Sequence, residues 1–235
     1  MTRQERRSPT PLPSPPPRGG RERAKISIAV PTGVLLPGAL KVLARARVMR
    51  LSGAELGRRL LVERSGVRVI LVRPADVPAY VDHGAADLGI VGKDVLWESG
   101  GSHYELVDLH FGPCRLVLAV PDKSRLAGRE TWPPLLTVAT KYPRTAAAWF
   151  EAQGQAVEIV ELHGSVELAP QVGLVDGIVD LTASGRTLSE NRLRIAAVLG
   201  SSTARLIGNQ ASLKTRTSAV QSMVARLRES ANSGH

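Results

Sequence analysis

Short runs of Val, Ile and Leu recur along the chain, and the segments between them carry apolar residues at helical spacing. The runs predict buried strands, and the intervening segments predict amphipathic helices. The predicted strands are residues 26–30, 67–72, 88–91, 104–109, 115–120, 135–139, 157–162, 193–198 and 203–207. The predicted helices are residues 36–46, 74–83, 95–98, 143–153 and 217–229. Residues 47–66 are ambiguous and could hold short strands or a hairpin around residues 57–60.

This alternation of strands and helices is typical of α/β folds with parallel sheets. Ten strands, counting a further one within residues 176–188, are many for one sheet in a chain of 235 residues, so we expect two lobes. Residues 25–113 together with 194–235 would form lobe I, and residues 114–193 would form lobe II. The chain would cross near residues 112–113 and return near 192–195. A small ligand is then expected in the cleft between the lobes.

The N-terminal residues 1–24 are rich in Pro, Arg and Ser and cannot bury apolar surface. We expect a disordered tail and exclude it from the fold. The tail carries six arginines against two glutamates, a net charge of +4, which leaves +6 of the total of +10 for the remaining residues. This moderate basicity fits small polyanions such as nucleotides. Aromatic residues make up only 3%, which argues against nucleic acid because few side chains can stack on bases.

Several classes of protein are disfavoured by the sequence. No apolar run approaches the length of a membrane span, and no apolar segment follows the N-terminal arginines as in a secretory signal. The one cysteine, Cys114, cannot form an intramolecular disulfide, so we expect a cytoplasmic protein in which Cys114 is a small buried hydrophobe. The histidines show no metal-ligand spacing, and we predict no zinc or iron site.

The stretch with the most chemical content is DGIVDLTASGRTL, residues 176–188. It predicts a strand, a small hydroxyl-rich loop and then a helix. Free N–H groups and the positive end of a helix dipole suit a phosphate, and a flanking carboxylate suits a ribose diol, free or Mg²⁺-bound. The predicted contacts, which together indicate a phosphorylated sugar, are Asp176, Asp180, Thr182, Ser184, Gly185, Arg186 and Thr187.

A purely structural interpretation of the same stretch stays open at this point. Thr187 and Glu190 have the spacing of a capping box, with Thr187 as the N-cap and Glu190 at the third helical position. Gly185 would then be an ordinary turn residue. The local pattern alone does not choose between the two interpretations.

Two more segments place charge between a strand and a helix. Lys141 and Arg144 surround the helix start at Pro143, where unpaired amides could bind an anion. The alternative is a basic helix start on a solvated face. Lys93 and Asp94 follow the strand at residues 88–91 in the same way, although Asp94 could simply complement a helix dipole.

Glu167 lies one turn into a short helix that Ser165 could cap. Its carboxylate could belong to the cap or face the cleft, and its position favours the cap. No Ser–His–Asp set can be assigned, so the residues suggest no protein nucleophile.

Four motifs, in order, resemble ATP phosphoribosyltransferases of the short form, over about residues 25–215. Because the sequence ends soon after residue 230, we expect the short form, without the regulatory domain of the long form. The motifs are DVPAYVDHGAADLGIVGKD at residues 76–94, KYPR at 141–144, GSVELAP at 164–170 and DLTASGRTL at 180–188.

The resemblance implies the first step of histidine biosynthesis, in which ATP and phosphoribosyl pyrophosphate (PRPP) give phosphoribosyl-ATP and pyrophosphate. It also implies two α/β lobes like those of type II periplasmic-binding proteins. Residues 180–188 would hold the 5-phosphate and ribose of PRPP. No catalytic nucleophile is expected, and Mg²⁺ would be held mainly by substrate phosphates. The further cleft residues that it implies are Arg58, Lys93, Asp94, Arg144 and Glu167.

The resemblance also implies a regulatory partner related to histidyl-tRNA synthetase, in a hetero-oligomer. One segment departs from the family, which usually has Pro-Lys-Gly-Arg-Leu after the first strand, whereas residues 31–35 read PTGVL. Thr32 and Val34 therefore replace two cations. Either Arg58, Arg59 or Lys41 substitutes for them, or activity is weak or absent.

Two alternatives from other functional classes follow. The chain could be a degenerate nucleotide-binding subunit or a two-lobe ligand-binding module without catalysis. The arginine-rich tail could instead bind RNA or DNA, in which case deleting residues 1–24 would abolish a salt-dependent interaction.

Overall fold

The computed structural model describes residues 26–124, 126 and 132–233. The predicted tail at residues 1–24 lies outside this range. The strands are β1 (Ile26–Pro31), β2 (Leu61–Arg64), β3 (Val67–Val72), β4 (Leu88–Gly92), β5 (Tyr104–Asp108), β6 (Cys114–Pro121), β7 (Leu135–Thr140), β8 (Ala156–Glu161), β9 (Gly177–Thr182), β10 (Leu193–Ser202) and β11 (Ala204–Gly208).

Helices connect most of these strands. They are α1 (Leu36–Arg45), α2 (Gly53–Leu56), α3 (Val77–Asp82), α4 (Lys93–Ser99), α5 (Pro143–Ala152), α6 (Arg186–Glu190), α7 (Gln210–Thr215) and α8 (Thr217–Asn232). Single 3-10 turns occur at Gly33–Leu35, Pro74–Asp76 and Val166–Leu168. Among the described residues, no helix is long and apolar enough to cross a membrane.

Lobe I is built on a six-stranded sheet in the order β2-β3-β1-β4-β11-β5. Its central strands β3, β1 and β4 run parallel and are apolar because both faces are covered. Helices α1 and α8 pack their apolar sides, including Leu43 and Leu227, on one face. Helices α3 and α4 cover the other face with Val77, Val81 and Leu96.

Lobe II is built on a five-stranded sheet in the order β10-β6-β9-β7-β8. Helix α5 covers one face, where Phe150 is fully buried and meets Trp149 edge-on at a centroid distance of 5.0 Å. The turn at Val166–Leu168 and helix α6 cover the opposite face with Val166 and Leu188.

The two-lobe α/β fold predicted from the sequence is confirmed, with two corrections. The sheets are mixed rather than parallel, since β6 runs antiparallel to both β9 and β10, and β11 runs antiparallel to β4. The return crossing also lies at residues 202–203 rather than 193–194. Residues 193–202 form one strand that pairs along β6, so they belong to lobe II.

The two crossings are tied together by Asp108. Its carboxylate accepts hydrogen bonds from the His110 N–H at 2.9 Å and from Thr203 Oγ1 at 2.8 Å, and it pairs with Arg205 at 2.8 Å. The first crossing leaves lobe I at the end of β5 and enters lobe II at Cys114, beside the carboxyl end of β9. The carboxyl ends of the parallel strands in both lobes therefore face each other across the crossings.

Candidate active site

The loop after β9 lies at the carboxyl edge of the lobe II sheet. Thr182 is buried, and its Oγ1 accepts the N–H of Gly185 at 2.8 Å, which folds the loop into a tight turn. Gly185 has φ = +80° and is the N-cap of α6. This left-handed conformation favours glycine, since a Cβ would strain the backbone there. The sequence thus supplies both the hydroxyl and the glycine that the turn requires.

Several N–H groups of this loop remain available to a ligand. Among the described residues no side chain caps α6, and the Ser184 Oγ accepts the Arg186 N–H at a long 3.4 Å. Within the described part of the chain, the N–H groups of Ser184, Thr187 and Leu188 donate to no protein acceptor. Unpaired amides at the start of a helix provide a binding surface for an anion.

The capping-box interpretation of Thr187 is wrong. Helix α6 begins at Arg186, two residues earlier than a capping box at Thr187 would require, and Glu190 pairs with Arg186 at 2.8 Å instead of reaching back to the backbone. The hydroxyls of Ser184 and Thr187 are on exposed residues at the mouth of the loop.

Asp180 lies two residues before the loop and is half-buried. Burial is the main cause that raises its pKa; the Leu181 N–H, which it accepts at 2.8 Å, and Lys141 lower the pKa, and Glu167 raises it. Lys141 and Glu167 are therefore close enough to act on Asp180. The structure brings together three residues predicted separately from the sequence, and Ser165 makes no cap bond that would assign Glu167 to a cap.

Asp176 does not belong to this group. It precedes β9, and its carboxylate accepts the Thr137 N–H at 2.9 Å at the start of β7. A strand rises about 3.3 Å per residue, so Asp176 lies roughly 20 Å from Thr182 at the opposite edge of the sheet. This hydrogen bond supports the pairing of two strands, and the structure does not bring Asp176 to the loop after β9.

The lobe I candidates occupy different surroundings. Asp94 is buried and accepts a hydrogen bond from Ser202 Oγ at 2.7 Å, which places it beside the return crossing. Lys93 does not have a free ammonium group, since its Nζ donates to Glu105 Oε1 at 2.9 Å. Arg58 is exposed and lies at the rim of the lobe I sheet, just before β2.

Arg144 is directed away from the loop after β9. Its guanidinium lies against Gly100, where a side chain would collide with it. Its backbone N–H donates to Glu98 at 3.0 Å. The helix start predicted as an anion site is thus occupied by a carboxylate from the other lobe.

Tyr142 was not among the residues predicted from the sequence, although it lies in the KYPR motif. Burial raises the pKa of its phenol, and carboxylates of both lobes, Asp94 and Asp180, raise it further. The phenol therefore lies between the lobes. Cys114 is half-buried rather than fully buried, and burial together with Asp94 raises its pKa. Among the described residues, no three His, Cys, Asp or Glu side chains are arranged to hold a metal ion.

Comparison with known proteins decides the family. The family model described as "HisG: ATP phosphoribosyltransferase" matches residues 73–229, which include the loop after β9. The chain belongs to the ATP phosphoribosyltransferase family. An ATP phosphoribosyltransferase from Rubrobacter xylanophilus is 48% identical over 202 residues, covering 85% of this chain and 94% of the relative.

Solved structures agree with this assignment. The ATP phosphoribosyl transferase (HisG:HisZ) complex from Thermotoga maritima contains a chain that is 35% identical, with a TM-score of 0.75, covering 88% of this chain and 99% of that one. The alkanesulfonate-binding protein SsuA from Xanthomonas axonopodis pv. citri has a TM-score of 0.52 at 16% identity, covering 90% of this chain and 74% of that one. The latter likeness concerns the fold alone and bears out the predicted resemblance to periplasmic-binding proteins.

Proposed function

We propose that this chain transfers the phosphoribosyl group of PRPP to ATP, with the 5-phosphate of PRPP bound by the loop after β9. The observation that supports this placement is the set of unpaired N–H groups at Ser184, Thr187 and Leu188, within a segment that the family model covers. Asp180, two residues earlier, is in reach of the ribose hydroxyls of a sugar phosphate held there. Lys141, beside Asp180, supplies a cation for the pyrophosphate.

The chemistry needs no protein nucleophile. Adenine N1 forms a bond to C1 of the ribose while the bond from C1 to the pyrophosphate oxygen breaks, and pyrophosphate leaves with the electron pair. The transition state has oxocarbenium character, so the protein contributes by orienting the two substrates and by neutralising the leaving group. We propose that Mg²⁺ arrives with the phosphates of PRPP, where it would neutralise the charge that develops on them.

The direct test is turnover. Purified chain, ATP, PRPP and Mg²⁺ should give phosphoribosyl-ATP, followed by its absorbance. The assay should be run with and without a regulatory subunit related to histidyl-tRNA synthetase, because the Thermotoga maritima relative is described as a HisG:HisZ complex, and we propose a similar hetero-oligomer here. Absence of turnover with a competent partner would contradict the proposal.

A degenerate, non-catalytic subunit is the second candidate. Thr32 and Val34 lie after β1 at the cleft edge of lobe I, and Val34 is 94% exposed. At the positions where the family usually carries two cations, this chain therefore presents a hydroxyl and a bare apolar side chain. Such a protein would bind PRPP without turning it over.

Replacing Asp180 by Asn should lower kcat/KM while it raises the thermal stability of the free protein. The variant keeps an oxygen for the Leu181 N–H but loses the charge, so we expect kcat/KM to fall roughly 10- to 100-fold, the range for hydrogen bonds to charged groups. The thermal stability of the free protein should rise at pH 7, because a carboxyl with a raised pKa is costly to keep ionised in the folded state.

The pH dependence provides the check on this explanation. The cost of ionised Asp180 disappears as the pH falls through its raised folded pKa, so the advantage of Asp180→Asn in Tm should shrink toward pH 4. Asp176→Asn is the matched control, since Asp176 lies at the other edge of the same sheet and should leave kcat/KM nearly unchanged. A variant at Asp180 with unaltered kcat/KM would remove this residue from the site.

A further inference from the structure

Glu98 makes an unusual contact between the lobes. It lies on α4 of lobe I, yet its carboxylate accepts the N–H of Arg144 at 3.0 Å, the N–H of Thr145 at 3.0 Å and the hydroxyl of Thr145 at 2.7 Å. Helix α5 of lobe II has no side-chain cap of its own, since its N-cap Tyr142 makes no such bond. One helix of lobe II is thus capped by a residue of lobe I.

Neighbouring contacts join the same two elements. The Arg144 guanidinium lies against Gly100, directly after α4, and Gly100 is left-handed with φ = +64°. Trp97 of α4 lies against Gly200 of β10, where an added Cβ would be 2.8 Å from the indole. The end of α4 therefore contacts lobe II through a carboxylate, a glycine and an indole.

Packing around this contact is incomplete. An open cavity of about 400 Å³ adjoins it, lined by Trp97, Leu116, Thr145, Ala148, Trp149 and Leu199. Trp97 also packs against the buried core of lobe II, and the charge-assisted hydrogen bonds of Glu98 add a directional contact between α4 and α5 beside this cavity.

We propose that Glu98 is a positioning residue for the reaction. By capping α5 across the lobe boundary, it holds Lys141 and Tyr142, immediately before α5, at a fixed distance from Asp94 of lobe I before substrates bind. The effect of this cap on substrate binding rests on the proposed function, but the cap itself can be tested without turnover. Preorganisation of this kind improves affinity because less ordering remains to be done on binding.

The test compares Glu98→Gln with the unmodified full-length chain. Glutamine has nearly the same shape, but it loses the charge and turns an amide N–H₂ toward donors. We expect the amides of Arg144 and Thr145 to exchange with deuterium about tenfold faster, and the Kd for PRPP by calorimetry to rise about tenfold, as for loss of a charge-assisted hydrogen bond. At saturating substrates, kcat should stay within about twofold, because bound substrates bridge the lobes.

Two further variants keep the test sharp. Glu151→Gln makes the same substitution on an exposed turn of α5 and should change none of these quantities. Thr145→Val removes only the hydroxyl from the contact. It should also speed amide exchange and raise the Kd for PRPP, but by less than Glu98→Gln does, and it serves as the test if Glu98→Gln folds poorly.

Unchanged amide exchange would show that the cap does not form in solution. Faster exchange with an unchanged Kd would reduce Glu98 to a structural role, and either result overturns the proposal. Failure of the unmodified chain to turn over would bear on the proposed function alone.

Discussion

The double variant Thr32→Lys/Val34→Arg should raise kcat/KM for PRPP by roughly 100-fold or more. Each charge-assisted hydrogen bond to a phosphate contributes about 1.5–3 kcal/mol, and two such bonds together exceed a factor of 100. Both positions follow β1 at the edge that faces lobe II, and Val34 is 94% exposed, so a longer cationic side chain can be placed without repacking.

Cations already present at this rim determine the kcat/KM from which that increase begins. Arg58 and Arg59 precede β2, where the Leu60 carbonyl accepts the Leu71 N–H at 2.8 Å. They therefore lie about two strand spacings, or ~10 Å, from the end of β1. Lys41 is on α1, more than a turn away from the rim. If one cation substitutes for the missing pair, Arg58 or Arg59 is better placed than Lys41.

A control variant distinguishes direct contact with substrate phosphates from a general effect of added positive charge. Ser218→Lys/Gln221→Arg adds the same two charges to exposed positions of α8, away from the cleft, and should change kcat/KM little. Steady-state kinetics at two salt concentrations would measure both variants. Equal rates for the rim variant and the unmodified chain would mean that residues 32 and 34 do not touch substrate phosphates.

Replacing Asp87 by Ala should destabilise lobe I by about 3–5 kcal/mol, because it removes the buried partner of an ion pair and leaves the Ser27 N–H and the Ser212 hydroxyl without this acceptor. In a protein of this size, that loss corresponds to a fall in Tm of roughly 6–20 °C. Asp87 is 5% exposed. Its carboxylate accepts the Ser27 N–H at 2.7 Å, the hydroxyls of Ser27 at 2.8 Å and Ser212 at 2.7 Å, and pairs with Arg216 at 2.7 Å.

These bonds connect parts of the chain that are distant in sequence. Ser27 is on β1, Ser212 is on α7 and Arg216 joins α7 to α8, so Asp87 fixes the returning C-terminal helices to the first strand. Burial alone would raise the pKa of Asp87, but the hydrogen bonds from Ser212, Ser27 and Arg216 outweigh it and lower the pKa. The stability that Asp87 contributes is therefore lost as the pH falls through its lowered folded pKa.

Chemical denaturation at pH 7 measures the size of the effect. Asp76→Ala is the matched control, because Asp76 is exposed in the same lobe and makes no side-chain cap bond. Surface substitutions of this kind usually change stability by less than about 0.5 kcal/mol. A loss below 1 kcal/mol for Asp87→Ala would contradict the role assigned to the cluster.

The sequence allowed much of the architecture to be predicted because its signals are local. The apolar runs form strands with nearly the predicted bounds, and the strand, loop and helix predicted for residues 176–188 are present. The capping-box spacing of Thr187 and Glu190 was misleading, since the same Glu190 also stands four residues after Arg186 and pairs with it. Spacing alone does not reveal where a helix begins.

The errors and omissions involve distance in space. Asp176 and Asp180 are near in sequence, but an extended strand carries Asp176 to the opposite edge. Glu98 and Thr145 are 47 residues apart in the sequence, and no local pattern could predict their contact. The return crossing was placed too early because the sequence does not show which sheet the strand at residues 193–202 joins, and it pairs along β6 of lobe II.

A titration of the ¹⁵N-labelled chain with PRPP and Mg²⁺, followed by NMR, would locate the sugar phosphate. We expect the amide signals of Ser184, Gly185, Thr187 and Leu188 to shift most, while the signal of the Thr137 amide beside Asp176 stays unchanged. Saturating shifts confined to other parts of the chain, with these four amides unchanged, would contradict it.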